Sequence, residues 1–117
     1  MLDRLHRGGV TLVTGPDSGI SAMVAHGKLG EMIEFLAESG LSLAAALAAA
    51  TSKAAAACLV GGRKGLLRNG YDADLVMVDG DLSTDLTALA NVRAVVLGGS
   101  VVRGATGPGN EGGTLSA

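Results

Sequence analysis

Residues 10–14 read VTLVT, a run of β-branched and apolar side chains with no regular polar alternation. Such a run fits a strand buried on both faces, as in a parallel sheet. A parallel strand needs a neighbour on each edge and a helix over each face. The chain has 117 residues and supplies one such run at its start. Gly15, Pro16, Asp17, Ser18 and Gly19 follow at once. Gly and Pro punctuate there, and Asp can bond to backbone, so the segment reads as a turn. In α/β folds the site lies at the carboxyl ends of the strands. Asp17 therefore stands where chemistry is expected.

The run is preceded by a short charged helical end over residues 3–7, stopped by Gly8 and Gly9. After the turn the period changes. Leu29, Met32, Ile33 and Leu36 recur at i, i+3, i+4 and i+7, which predicts a helix over residues 28–39. Gly40 is placed to end it, and Ser42 to cap a second helix with Leu43, Leu47 and Ala50 on one face. Thr51 and Ser52 mark a break before a further helical stretch over residues 53–59. Gly61, Gly62 and Gly65 make a loop. Beyond it the pattern turns to strand. DLVMVD at residues 74–79 is one run; residues 91–97 and 100–103 flank Gly98 and Gly99. A two-residue Gly-Gly loop between β-rich runs predicts a hairpin. The order gives three parts: residues 1–60 with the first strand and the helices, a β segment over 61–104, and a Gly-rich tail over 105–117 expected to be disordered.

One βα unit followed by separate strands cannot close a parallel sheet, so the sequence reads as cut from a larger fold. Composition points the same way. Hydrophobic residues make up 48%, but much of that is Ala, with Phe35 and Tyr71 as the large rings and no Trp. Alanine removes little apolar area from water, so a self-sufficient core is doubtful. Helix faces without partners imply a homo-oligomer or a missing protein neighbour.

Several function classes fall away. Net charge is −2, and Lys and Arg are scattered, so no basic stripe for nucleic acid is drawn. Residues 41–60 form the one stretch to weigh for a membrane, but Ser42, Thr51, Ser52 and Lys53 interrupt it, and a span is rejected. The start is charged and leads into no long apolar stretch, so no secretory signal is read and the cytoplasm is the expected compartment. Cys58 is the only cysteine and is expected to be a small buried hydrophobe.

Asp17 can ligate a metal or accept a proton from a metal-bound water; the competing reading is a turn or capping Asp. His26 lies in a segment expected to cross the mouth of the strand end, where it can contact substrate or serve as a loop residue. His6 is expected to be exposed on the short helix. GGRKG at residues 61–65 lacks the spacing and context of a phosphate loop. Asp72, Asp74, Asp79, Asp81 and Asp85 lack the pattern of a calcium loop and read as solvated strand ends. There is no His-x-His and no His-Glu-x-x-His, so the sequence encodes at most one ligand of a zinc site.

The assembled motifs resemble the amidohydrolase superfamily, in its imidazolonepropionase-like and prolidase-like branch. GVTLVTGPDSG at residues 9–19 is similar to that family's last barrel strand with its GTDAG or GSDSG ending. His26-Gly27 resembles the HG that follows. ESGLS at 38–42 and ATSKAA at 50–55 look like its C-terminal helices. GLLRNGYDADLVMVDGD at 65–81 and VRAVVLGGSVV at 92–102 are similar to its closing strands. The resemblance implies an α/β fold: the last βα unit of a metal-dependent (β/α)₈ barrel, then strands of a small β-sandwich, incomplete as a barrel. Pro16 departs from the family's Thr or Ser and removes a backbone donor beside the site.

The function implied is hydrolysis of a C–N bond in a cyclic amide or peptide-like amide. By resemblance, Asp17 is both metal ligand and catalytic proton carrier, and His26 is substrate-binding. The cofactor implied for the complete enzyme is a divalent metal, zinc by expectation, and none is expected for this chain alone. An N-terminal barrel polypeptide is the implied partner, with a small amide or peptide as substrate. A non-catalytic interaction module and an unrelated small α/β binding domain are the alternatives.

Overall fold

A computed structural model of the chain describes residues 1–19 and 26–104. Helices come first: α1 (Leu2–Arg7), α2 (Leu29–Glu38), α3 (Leu43–Ala50) and α4 (Ser52–Ala57). Strand β1 (Leu75–Val78), a 3-10 turn η1 (Leu86–Ala90), and strands β2 (Val92–Leu97) and β3 (Ser100–Gly104) follow.

The α2 periodicity is realised in three dimensions. Ile33 and Leu36 are buried, while Phe35, off that stripe, is exposed. The helix stops at a Schellman-type closure. The Gly40 N–H donates to the Ala37 carbonyl at 2.9 Å, and the Leu41 N–H to that of Leu36 at 3.2 Å. Gly40 takes φ +101°, and Leu41 packs into the core beside Leu36. Ser42 then caps α3, its hydroxyl accepting from the Ala45 N–H at 3.2 Å. Ala46 and Ala49 are the most buried residues of α3, so its buried face is made of methyl groups. Thr51 sits between α3 and α4 at φ −122°, ψ −94°, where the expected break falls.

The core cluster comprises Ile33, Leu36, Leu41, Ala46, Ala49 and Leu86. Leu86 comes from η1, which was not anticipated from the sequence. Asp85 caps that turn, accepting from the Thr87 N–H at 2.9 Å and its hydroxyl at 2.8 Å. Leu86 and Leu89 lie three apart, the spacing that signals such a turn. Leu2, Leu12, Leu82 and Leu89 close over the cluster from the outside.

The strands form a three-stranded antiparallel sheet in the order β1-β2-β3. Gly98 and Gly99 make the β2–β3 turn with φ +56° and +83°, the left-handed pair that a two-residue hairpin loop demands. The register sets Leu75 against Val96, and Val96 against Val101. Ala94 is the one strand residue buried among those described. Val76 at 61% and Leu97 at 60% exposure leave apolar surface open on the sheet.

Three expectations are corrected. Residues 10–14 form no strand: Val10 and Val13 are nearly half exposed, and Leu12 alone of the apolar residues there packs against the core. A ladder needs partner strands, and the described residues offer this run none. Cys58 is exposed, because α4 ends one residue earlier and buries none of its own side chains. His6 is half-buried rather than exposed. The expected crossing segment falls partly on residues 20–25, and the expected disordered tail on 105–117; both ranges lie outside the described residues.

Candidate functional site

The segment leading to Asp17 is tied to the helical body by two contacts. The Thr14 N–H donates to the Ala49 carbonyl at 3.1 Å, and Leu12 packs on the core. The tie falls three residues before Asp17, so α3 fixes where the turn begins. Asp17 itself is exposed and takes φ +44°, a left-handed conformation uncommon for a residue with a Cβ. Asp tolerates that region better than most residues, because its short side chain can bond locally. The carboxylate is thus displayed on a turn rather than folded into the core.

His26 comes back to this turn. A Cβ built on Gly19 would lie 3.4 Å from the His26 Nε2 and 3.7 Å from its Cε1. The imidazole therefore covers the glycine two residues beyond Asp17. His26 also lines a shallow, open depression of about 240 Å³ with Lys28, Glu31, Glu34 and Leu89 among its walls. Lys28 and Glu31 form an ion pair one helical turn apart. Glu34 and Leu89 reach this place from α2 and η1, which spacing along the chain could not reveal.

What this arrangement can do is limited. Among the described residues no group of three or more His, Cys, Asp or Glu side chains could hold a metal ion. A catalytic zinc site needs three protein ligands and an open position. Asp17 can offer one carboxylate, so these residues do not fit a complete metal site by themselves. The acidic residues at 72–85 are each engaged elsewhere. Asp72 and Asp74 pair with Lys64, Asp79 with Arg93, and Asp81 and Asp85 hold turns through Ser83 and Thr87. The Asp81 and Asp85 carboxyls are held below the usual carboxylate range by those hydroxyl and backbone donors. Among the described residues no helix is long and apolar enough to cross a membrane.

Comparison with known proteins bears on these residues as a set. A family model described as "Amidohydrolase family" matches residues 1–102. The structure is similar to that of a Xaa-Pro dipeptidase with methionine bound in its active site. That match has 26% identity and a TM-score of 0.79, over 88% of this chain and 25% of the other. It is similar to a putative prolidase from Bifidobacterium longum at 30% identity and TM-score 0.80, over 86% of this chain and 25% of that one. A molinate hydrolase shares the fold at 24% identity, with a TM-score of 0.78. The chain thus spans about a quarter of the length of these structures. No curated protein matches it. From a family match that runs through the turn at Asp17, the helices, the first two strands and into the third, the chain belongs to the amidohydrolase family.

Proposed function

We propose that this chain carries the proton-acceptor carboxylate of a hydrolase acting on amide or peptide-like C–N bonds. The observation that carries the reading is the turn at residues 15–19. Asp17 is displayed there in a left-handed conformation, directly after a segment anchored to α3, with the His26 ring against the same turn. In the proposed reaction Asp17 takes the proton of the attacking water and returns it to the leaving nitrogen. His26 contacts substrate from the side of Gly19. The likeness to a Xaa-Pro dipeptidase and a putative prolidase supports a peptide-like substrate over a cyclic one.

The amidohydrolase family is generally metal-dependent. As part of the same proposal Asp17 gives one carboxylate to a metal site, zinc by expectation, whose other ligands lie outside the described residues. Residues 1–60 would then belong to a barrel as its last βα unit, and residues 61–104 to a small sandwich. The chain by itself is expected to be inactive, since one exposed carboxylate cannot position water against a carbonyl, and positioning is a large part of the rate gain.

A hybrid tests this. Residues 1–102 replace the matching quarter of the Xaa-Pro dipeptidase, and hydrolysis of a Xaa-Pro dipeptide is measured with and without Asp17→Asn. The hybrid should turn over. Asp17→Asn should cost about 100-fold or more in kcat, because a positioned acid–base group contributes on that order. Metal content and far-UV circular dichroism are recorded in parallel. Undiminished turnover by the Asn variant would remove Asp17 from the chemistry.

A second reading, a non-catalytic interaction module, is favoured by the open apolar surface at Leu67, Val76 and Leu97. Full activity of the hybrid counts against it.

A further inference from the structure

We propose that Lys64, Asp72 and Asp74 form a charge-held clasp that fixes the β2–β3 turn to the loop after α4, and that ionic strength releases it. Lys64 is the hub. Its ammonium pairs with the Asp72 carboxylate at 2.9 Å and with Asp74. Arg63 pairs with the same Asp72 oxygen at 3.0 Å. The Asp74 carboxylate divides its two oxygens between two parts of the fold: Oδ2 accepts from Lys64, and Oδ1 accepts from the Gly98 N–H at 2.8 Å. Two backbone bonds run alongside. The Asp72 N–H donates to the Arg63 carbonyl at 2.8 Å, and the Gly99 N–H to the Ala73 carbonyl at 3.0 Å.

The arrangement matters because of what is missing around it. The core cluster contains no residue of β1, β2 or β3. The link that Asp74 makes from the hairpin turn to the α4 loop runs through charge and backbone polarity. The pairs are also partly sheltered. Lys64 is 33% exposed, and the two carboxylates 31% and 30%; by contrast Arg93 and Asp79, an ion pair elsewhere on the sheet, are 70% and 67% exposed. A sheltered three-group network holds better than one surface pair, yet remains open enough for salt to reach. In keeping with this, Lys64 is held above its ordinary range by its bonds to Asp74 and Asp72. Asp74 is held below its own range by Lys64 and then by the Gly98 N–H.

Amide hydrogen exchange on the full 117-residue chain reads the clasp directly. The probe is the Gly98 N–H, measured against the N–H groups of Met32 and Ala46, which donate to the Lys28 and Ser42 carbonyls at the starts of α2 and α3. Sodium chloride at about 1 M cuts the screening length to about 3 Å. In the unaltered chain that salt should speed Gly98 exchange by about threefold relative to the two reference amides, the scale of a small ion-pair network. Lys64→Met should do the same at low salt and abolish the further effect of salt. Lys64→Arg should keep most of the protection, and Arg93→Met should leave Gly98 unchanged. Gly98 protection that ignores both salt and Lys64→Met would overturn the clasp, as would an equal acceleration of all three amides. The salt series needs no variant, so a poorly folding Lys64→Met still leaves a decision.

Discussion

The imidazole of His26 lies against Gly19, its Nε2 3.4 Å from the point where a Cβ on that glycine would stand. Gly19 also holds φ +97°, a conformation that a side chain rarely adopts. Gly19→Ala should therefore act on the turn and on the histidine together. The expected cost is about 1 kcal/mol from backbone strain alone. The His26 ring resonances should move in the NMR spectrum while those of His6 stay in place. An unmoved His26 would separate the ring from the turn that carries Asp17.

The core is thin, so single truncations within it should be felt. Leu36→Ala removes a side chain packed among Ile33, Leu41 and Leu86 and should cost about 2–4 kcal/mol. Ser42→Ala removes the cap on the Ala45 N–H and should cost about 1 kcal/mol. Because the two act by different means, urea titration should show them lowering the midpoint to different extents with little change in slope.

Acid should loosen the clasp at a predictable end of the pH scale. Asp74 is held below the usual carboxylate range, chiefly by Lys64 and next by the Gly98 N–H. A carboxyl with a lowered native pKa stabilises the fold above its unfolded pKa, and that contribution disappears as pH falls through the native value. Melting followed across pH 2–6 should therefore show a decline towards acid. In Asp74→Asn the decline should be shallower and the plateau lower. Asp3, lowered by its bond to Arg7, should contribute to the same limb.

Self-association is the fourth expectation. Val10, Val13, Val76 and Leu97 are all exposed by 46% or more, and among the described residues the run at 10–14 has no strand beside it. Such unpaired apolar segments are ready templates for another chain. Light scattering should find oligomers or aggregates at micromolar concentration, reduced in the double variant Val10→Thr, Val13→Thr. A clean monomer with a sharp melt would count against the need for missing neighbours.

What could be seen in the sequence was mostly local. The α2 stripe, the stop at Gly40, the Ser42 cap, the break at Thr51 and the Gly98-Gly99 turn each follow from a few adjacent residues, and the structure contains all of them. The resemblance in the motifs found its family for the same reason. Failures came where a distant partner decides the outcome. Residues 10–14 have strand chemistry but no ladder to join. Cys58 has the side chain of a buried residue but sits past the end of its helix. Leu86 looks like part of a polar connection, and its burial depends on α2 and α3 lying more than thirty residues upstream. At the site, position alone brought Asp17 into view, whereas the return of His26 to Gly19 needed coordinates.

Leu86 has a consequence in time as well as in space. A chain made from its N-terminus completes α2 and α3 long before η1 exists, and the cluster of Ile33, Leu36, Leu41, Ala46 and Ala49 then lacks its last member. Until the growing chain reaches residue 86, the side chains that Leu86 covers in the native fold have no cover from that residue. The helical core is thus completed by a five-residue turn that is made after both of its helices. A pause in synthesis before residue 86 would leave those side chains exposed to whatever apolar surface lies nearest.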